Sequence, residues 1–277
     1  MKMKMNMNKK RWLILGACCL INLCLGSIYA WSVFSASMSE YLSSLTGQSI
    51  TSADLAIVYT VANSVGPITM ITGGWFNDKF GPKKVLLAGT IMYSIGLILS
   101  GFAVNTSMLL LTYGIIGGLG LGMAYGCTIS TAVKYFPDKR GLIGGVTTAV
   151  YGLSSVIVSP IITIIVEKTN ATVAFKGIGM VFLIVMVLCS LMVEACPADF
   201  VPEGYTKQAA VQSAQVAVDK KLERKCYRHQ IFYVMIILLT CGAFSGMMII
   251  SQAAGLAQEM VGMTKMAAST AVSVLHF

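Results

Sequence analysis

Residues 74–84 read Gly-Trp-Phe-Asn-Asp-Lys-Phe-Gly-Pro-Lys-Lys and connect two long apolar runs of the chain. Gly81 permits the tight reversal that a short connection needs. Asp78 is an acid at the edge of an apolar run, where it can accept hydrogen bonds from a helix start or pair with a base. The stretch therefore predicts a sharp turn between two helices, with polar contacts that form in one conformation and break in another. The alternative is a solvated turn whose charges only set the orientation of the chain.

The apolar runs around this turn are long enough to cross a membrane. Hydrophobic residues make up 56% of the 277 residues and charged residues only 11%, whereas a soluble domain carries about a quarter charged residues. Runs of roughly 18 or more uncharged residues are typical of transmembrane helices, and these runs lack the alternation of a membrane β-barrel. The composition predicts an all-α membrane protein with a six-helix bundle, a seventh transmembrane helix and the beginning of an eighth near Met266. The first seven runs are 12–34, 55–76, 85–104, 108–133, 142–166, 177–193 and 231–258.

Basic residues are distributed unevenly among the connections between these runs. Lysine and arginine concentrate before the first run and after the second, fourth and sixth, whereas the alternate connections hold only Lys168, Lys176 and Lys265. This asymmetry follows the positive-inside rule and predicts a cytoplasmic N-terminus in a multi-pass protein of the plasma membrane. The net charge of +9 is therefore interpreted as a topology signal, with contact to anionic lipid as a secondary role, and not as a nucleic-acid interface.

The chain is predicted to divide into three parts. Residues 1–195 form a six-helix half, residues 196–229 a cytoplasmic linker, and residues 230–277 the start of a second half. The segment 208–228 fits an amphipathic surface helix and a flexible linker equally well. A weak similarity between residues 24–32 and 241–248 agrees with two parallel repeats. The incomplete eighth run favours a truncated chain, missing its C-terminal half, over a seven-helix protein that ends inside the bilayer.

Polar side chains occur within several of the apolar runs and share helix faces. Tyr29 lies on one face with Asn22 and Gly26, and Asn63 lies on one face with Tyr59 and Gly66. Tyr125 and Tyr151 also have hydroxyl-bearing neighbours one helical turn away. Polar groups deep in a membrane helix are expected to face the protein interior. The alternative is that these tyrosines pack helices together or sit in an interfacial belt.

Glycines recur at every fourth position of the fourth run, at 114, 118, 122 and 126. Small residues at this spacing let helix backbones approach closely. The ladder predicts a packing and sliding surface, or alternatively an interface between two copies of the chain. A nucleotide-binding fingerprint is not favoured, because no strand precedes the glycines.

The stretch 74–84 resembles the major facilitator signature Gly-x-x-x-Asp-Arg/Lys-x-Gly-Arg-Arg/Lys. It departs from that pattern at Pro82 and matches it at Gly74, Asp78, Lys79, Gly81 and Lys83. Two further stretches, Gly-Ser-Ile-Tyr-Ala-Trp-Ser at 26–32 and Lys-Tyr-Phe-Pro-Asp-Lys-Arg-Gly-Leu at 134–142, resemble the oxalate/formate antiporter family within that superfamily.

This resemblance implies a secondary transporter that exchanges small carboxylates by alternating access, with the signature residues acting as a conformational latch. It implies that Tyr29, Tyr125 and Tyr151 line the central cavity, beside Asn63 from the face pattern. It also implies that basic residues of a second half supply the cation for the anionic substrate. The oxalate-transporting pattern has glutamines where Ile28 and Ala56 stand, which favours a monocarboxylate such as formate, lactate or pyruvate over oxalate.

Two other functions remain open, namely a membrane-embedded sensor with a transporter-like fold and a transporter of a different cargo, such as a drug or a sugar. The sequence contains no phosphate-binding loop and no residue pair suited to hydrolysis. We therefore expect no enzymatic activity, no cofactor and no metal. The expected partners are a small organic anion, the lipid bilayer and the second half of the transporter.

Overall fold

The computed structural model describes residues 7–197, 200, 230–264 and 267. This part of the chain is built from long α-helices, which confirms the predicted all-α fold. The predicted linker beyond Phe200 and nearly all of the predicted eighth helix lie outside the described residues.

Six helical spans form a bundle, and a seventh helix follows. The bounds are α1 Met7–Leu25, a 3₁₀ turn Gly26–Ala30, α2 Trp31–Thr46, α3 Ala56–Phe80, α4 Pro82–Ser100, α5 Thr106–Leu109, a π-helical segment Leu110–Gly117, α6 Gly118–Tyr135, α7 Arg140–Lys168, α8 Ala171–Met192 and α9 Gln230–Val261. The first span runs through α1, the 3₁₀ turn and α2, and the fourth span runs through α5, the π-helical segment and α6.

Several predicted helix boundaries are wrong. The largest difference is at the first span, which continues through α2 to Thr46, twelve residues beyond its predicted end at 34, because serines of this stretch such as Ser35 and Ser37 donate to backbone carbonyls of the same helix.

Two further differences have local reasons. Helix α8 begins at Ala171, six residues before the predicted start, because the Asn170 side chain caps it by accepting a hydrogen bond from the Val173 amide (2.9 Å). The charge of Lys176 does not interrupt this helix, since its ammonium group lies over the Phe102 ring at 3.8 Å. Helix α3 extends to Phe80, so Asp78 lies on the last helical turn and not in a loop.

Six helical segments of the described residues are long and apolar enough to cross a membrane, including α9 over Gln230–Ile249. Helix α3 is not among them, although it has 25 residues. Its middle carries Thr60, Asn63, Ser64 and Pro67, which dilute the apolar content. The polar character of α3 is expected for a helix that faces protein or a cavity more than lipid.

The glycine ladder of the fourth span packs against α3. A side chain at Gly118 would lie 2.7 Å from the carbonyl oxygen of Ala62, and one at Gly122 would overlap the Gly66 carbonyl. The opposite face of α6 packs equally closely on α4, where a side chain at Gly89 would lie 2.8 Å from the Ala124 amide. The ladder is thus a packing surface within one chain, and the alternative of an interface between two copies is wrong, because α3 already covers it.

Helices α1, α6 and α7 are joined by one buried amide. The Asn22 Nδ2 donates to the Thr147 carbonyl oxygen (3.3 Å), and its Oδ1 accepts from the Thr128 hydroxyl (2.7 Å). One turn later a side chain at Gly26 would overlap the backbone carbonyl of Tyr151. These contacts fix the first span against α7 and so determine where Tyr29 points.

Candidate functional site

The three predicted cavity tyrosines meet in the bundle. The rings of Tyr29 and Tyr151 are 5.2 Å apart between centroids in an edge-to-face arrangement, and those of Tyr125 and Tyr151 are 4.6 Å apart. They come from the 3₁₀ turn, α6 and α7 respectively. Tyr151 is 8% exposed, while Tyr29 and Tyr125 are half-buried. We call these three residues the tyrosine cluster.

Asn63 does not belong to this contact set. It lies half-buried on α3, and its Nδ2 donates to the carbonyl oxygen of Tyr59, one turn earlier (2.9 Å). The ring of Tyr59 in turn stacks with that of Trp31, with 6.5 Å between the ring centroids. Trp31 is completely buried. Asn63 is therefore grouped with a second set of aromatic residues.

The signature residues lie at one end of the bundle, where a single residue, Gly81, separates α3 from α4. Gly81 has φ 81° and ψ 156°, a backbone region that is essentially restricted to glycine. Its amide donates to the Asn77 carbonyl oxygen (2.9 Å) and completes the last turn of α3. Pro82 starts α4 at a position where its missing amide hydrogen costs nothing, so the helix tolerates the departure from the signature.

Asp78 forms an ion pair with a residue of another helix. The Lys134 Nζ, at the end of α6, lies 3.0 Å from the Asp78 Oδ1, and both side chains are largely exposed. Beside this pair, the Asn77 Nδ2 donates to the Ser130 hydroxyl (3.1 Å). A cavity of about 180 Å³ separates this group from Cys196. Burial raises the pKa of the Cys196 thiol, while Lys134 opposes that effect.

The other signature residues do not converge on this cavity. Gly74 is exposed on α3, and among the described residues no neighbouring atom lies within 4 Å of the position that a Cβ would take there. The Lys79 ammonium lies 4.9 Å from the Trp75 ring centroid, and Lys83 is exposed at the start of α4. Asp78 and Gly81 are thus the signature residues that line the cavity.

The same end of the bundle holds two ion pairs that sequence reasoning missed. The Arg11 guanidinium lies 3.5 Å from the Asp138 carboxylate and also over the Phe136 ring, 4.9 Å from its centroid. Lys10 pairs with Glu194. Both pairs join residues more than a hundred positions apart, so helix periodicity could not have found them. The available signal was that all these residues fall at or beside the basic connections.

The opposite end of the bundle carries an acidic turn before α3. The Asp54 carboxylate accepts hydrogen bonds from the Thr51 amide and the Thr51 hydroxyl, both at 2.8 Å. These two hydrogen bonds, the backbone one first, lower the pKa of Asp54 below its ordinary value. The two ends of the bundle differ in charge among the described residues. At the Asp78 end lysines and arginines outnumber the acids, whereas at the other end Glu40, Asp54 and Glu167 face only Lys168 and Lys176.

The sequence profile of the Major Facilitator Superfamily matches residues 18–277, which is most of the chain. The chain belongs to the Major Facilitator Superfamily. Its six-span bundle and the short α3–α4 connection agree with the membership that the signature stretch indicates.

The chain is also similar to two curated relatives and to one solved structure. The chain is 27% identical over 98% of its length to an uncharacterized MFS-type transporter, YhjX, of Escherichia coli (strain K12), of which it covers 63%. It is 29% identical over 66% of its length to an oxalate:formate antiporter of Oxalobacter formigenes, of which it covers 43%. A D-xylose-proton symporter structure superposes with a TM-score of 0.61 at 15% identity, covering 96% of this chain and 65% of the other. The chain thus spans less than two thirds of each of these proteins.

Proposed function

We propose that this protein is a secondary transporter that exchanges small carboxylates across the plasma membrane by alternating access, with its N-terminus in the cytoplasm. The observation that carries the proposal is the tyrosine cluster, in which Tyr29, Tyr125 and Tyr151 converge from three helical spans. Their hydroxyl groups can donate to carboxylate oxygens, and their rings can pack on the apolar part of a small organic acid. The mechanism requires no covalent chemistry.

The charge distribution implies that the counter-charge for an anionic substrate comes from outside the six spans. Within the described residues, charged side chains lie towards the ends of the six spans. No charged residue lies within eight positions of Tyr29, Tyr125 or Tyr151 along the chain. Neutral donors alone compensate a carboxylate only in part, because an anion in a membrane interior needs a cation or several convergent donors. We propose that a second half of the transporter provides the cation.

The similarity to an oxalate:formate antiporter supports small carboxylates as the class of substrate. Within that class, Ile28 and Ala56 carry no amide, and Ile28 is only 1% exposed in the packed core. A second carboxylate would therefore find no side-chain amide at either position. We propose a monocarboxylate, such as formate, lactate or pyruvate, as the preferred substrate over oxalate.

The Asp78 end of the bundle is proposed to act as a latch and not as a substrate contact. Lys134 lies nine residues from Tyr125 on the same helix, which is about 13 Å along its axis at 1.5 Å per residue. The ion pair is too far from the tyrosine cluster to touch a small bound acid. It is suited to form in one access state and to break in the other.

The test is counterflow in proteoliposomes that contain the full-length protein carrying this sequence. Vesicles loaded with unlabelled formate should accumulate labelled formate, and external lactate or pyruvate should compete better than oxalate. Tyr151→Phe should raise the half-saturating concentration, whereas Tyr135→Phe, whose hydroxyl bonds backbone carbonyls at the Asp78 end, should leave it unchanged. Competition by a sugar or a drug and not by carboxylates would favour another cargo, and binding without exchange would favour a sensor.

A further inference from the structure

Three aromatic residues outside the tyrosine cluster place buried hydrogen-bond donors together without partners. The Trp31 ring lies 4.7 Å from the Tyr113 ring and 6.5 Å from the Tyr59 ring between centroids. Trp31 is 0%, Tyr113 2% and Tyr59 3% exposed. The Trp31 Nε1 and both tyrosine hydroxyls have no hydrogen-bond partner among the described residues. We call these three residues the outer aromatic group.

Such an arrangement costs free energy, because a buried donor that has lost water and gained no acceptor bears its full desolvation penalty. The Asn63 amide lies near the Tyr59 hydroxyl without forming a hydrogen bond of good geometry to it. Its Nδ2 donates instead to the Tyr59 carbonyl oxygen. The missing partner must supply acceptors, since the indole nitrogen is only a donor.

The outer aromatic group lies between the tyrosine cluster and the end of the bundle opposite Asp78. Trp31 follows Tyr29 by two residues, and Tyr59 lies in the first turn of α3, just after the acidic turn at Asp54. Tyr113 lies in the π-helical segment Leu110–Gly117. Short π-helical segments are rare and are frequent at functional sites. Half-buried Asn63 connects the group to the less buried face of α3.

We propose that Trp31, Tyr59 and Tyr113 form a second, outer binding site for the carboxylate of the transported anion, which opens together with the end of the bundle that carries the 47–55 connection. This inference rests on the proposed function. In the present conformation the rings are packed and the site is closed. When that end opens, a carboxylate supplies the acceptors that the donors lack and then passes to the tyrosine cluster.

The test uses Tyr59→Phe and Tyr113→Phe in the full-length protein, with formate exchange measured in right-side-out and inside-out vesicles. Removing a donor that bonds the carboxylate should raise the half-saturating formate concentration about tenfold from the 47–55 side, with little change from the Asp78 side. Thermal stability without formate should not fall, because no hydrogen bond is lost. Tyr93→Phe is the matched control: its hydroxyl is bonded to the Ser27 hydroxyl (2.8 Å), so stability should fall and half-saturation should stay unchanged.

Wild-type half-saturation in both Phe variants, whatever their thermal stability, would contradict the outer site and would mean that the three donors are simply unsatisfied in the packed bundle. An equal rise from both sides would also contradict it, because that result assigns the hydroxyls to the central site, as expected for Tyr151→Phe. If the unmodified protein exchanges no carboxylate, the proposed function itself fails and the outer site fails with it.

Discussion

Single residues at the Asp78 end show both what sequence reasoning can find and where it stops. Gly81 is recognisable as a turn residue from its place between two apolar runs, and its backbone does adopt φ 81°. The partner of Asp78 is not recognisable, because Lys134 lies 56 positions later on a helix whose contact with α3 is set by packing. Periodicity assigns a face to a residue within one helix, but it does not say which helix covers that face.

The first prediction concerns the role of Asp78. In the full-length protein, Asp78→Asn should slow exchange at least several-fold and leave the half-saturating substrate concentration within a few-fold of the wild type. An exposed ion pair contributes about 0–1 kcal/mol to stability, so the melting temperature should hardly change. Glu194→Gln, which breaks the nearby pair with Lys10, is the matched control and should exchange at a nearly normal rate. A specific loss of affinity, with normal conformational exchange in spin-label distance measurements, would contradict the latch role.

The second prediction concerns pH at the Asp54 turn. Hydrogen bonds from Thr51 lower the pKa of the folded carboxyl, so the bonded turn is favoured above the unfolded-state pKa. That contribution is lost as the pH falls through the lowered, folded-state pKa. The carbon NMR signal of the Asp54 carboxyl should titrate below the ordinary range, and Thr51→Val should move its pKa part of the way back. Thr46→Val, whose hydroxyl bonds the Leu42 carbonyl, should not move it.

At the scale of helices, the number of spans could be predicted and their ends could not. Long uncharged runs locate all six spans, because a membrane imposes length and apolarity on any helix that crosses it. The ends depend on local chemistry that hydropathy ignores. Asn170 starts α8 early through a cap, and Lys176 stays helical because Phe102 covers its charge. The π-helical segment Leu110–Gly117 leaves no signal in the apolar pattern of the fourth run.

The third prediction tests the packing of the fourth span on α3. Gly122→Ala places a methyl group into the Gly66 carbonyl, where two backbones face each other and neither can move aside cheaply. We expect a loss of about 1–3 kcal/mol of stability from this overpacking, measured as a lower melting temperature in detergent. Gly145→Ala in α7 is the control, because no atom lies within 4 Å of its Cβ position among the described residues. It should be neutral or raise stability by about 0.5–1 kcal/mol. Equal melting temperatures for the two variants would contradict the close approach of the helices.

At the scale of the whole molecule, the candidate site could be predicted only in part. Resemblance and polar neighbours select Tyr29, Tyr125 and Tyr151, and the structure brings them into contact. Asn63 is selected by its helix face alone and lies with Tyr59 instead. The outer aromatic group could not be predicted at all, because its significance lies in missing hydrogen bonds, and a sequence does not reveal which donors are satisfied.

The fourth prediction concerns orientation in the membrane. The structure gathers the N-terminal basic residues, Asp78, Asp138 and Glu194 at one end of the bundle, and the positive-inside rule assigns that end to the cytoplasm. In a cysteine-free background, Gln48→Cys should react with a membrane-impermeant maleimide in intact cells, and Lys83→Cys should react only after permeabilisation. The reverse pattern would invert the topology.

The fifth prediction is that residues 1–277 by themselves do not catalyse exchange. The chain spans 63% of YhjX and 43% of the oxalate:formate antiporter, and transporters of this class place their substrate between two halves that rock against each other. Among the described residues, the tyrosine cluster belongs to the six-span bundle and α9 contacts mainly α2, so the described part contains no second bundle that could face the proposed substrate site.

Counterflow of labelled formate in liposomes that contain only this chain should therefore equal that of protein-free liposomes, while the full-length protein should accumulate label above both. Correct insertion is checked with the Gln48 and Lys83 cysteine variants, so that a misfolded preparation is not mistaken for an inactive one. Saturable exchange by the 277-residue chain would contradict the prediction and favour a homodimeric transporter.

Such a dimer could not use the glycine ladder, because α3 covers it. It would have to bring two tyrosine clusters face to face through the exposed sides of α3 and α7, where Ile71 and Leu142 are 79% and 60% exposed. Cross-linking of cysteines at those two positions would then detect it.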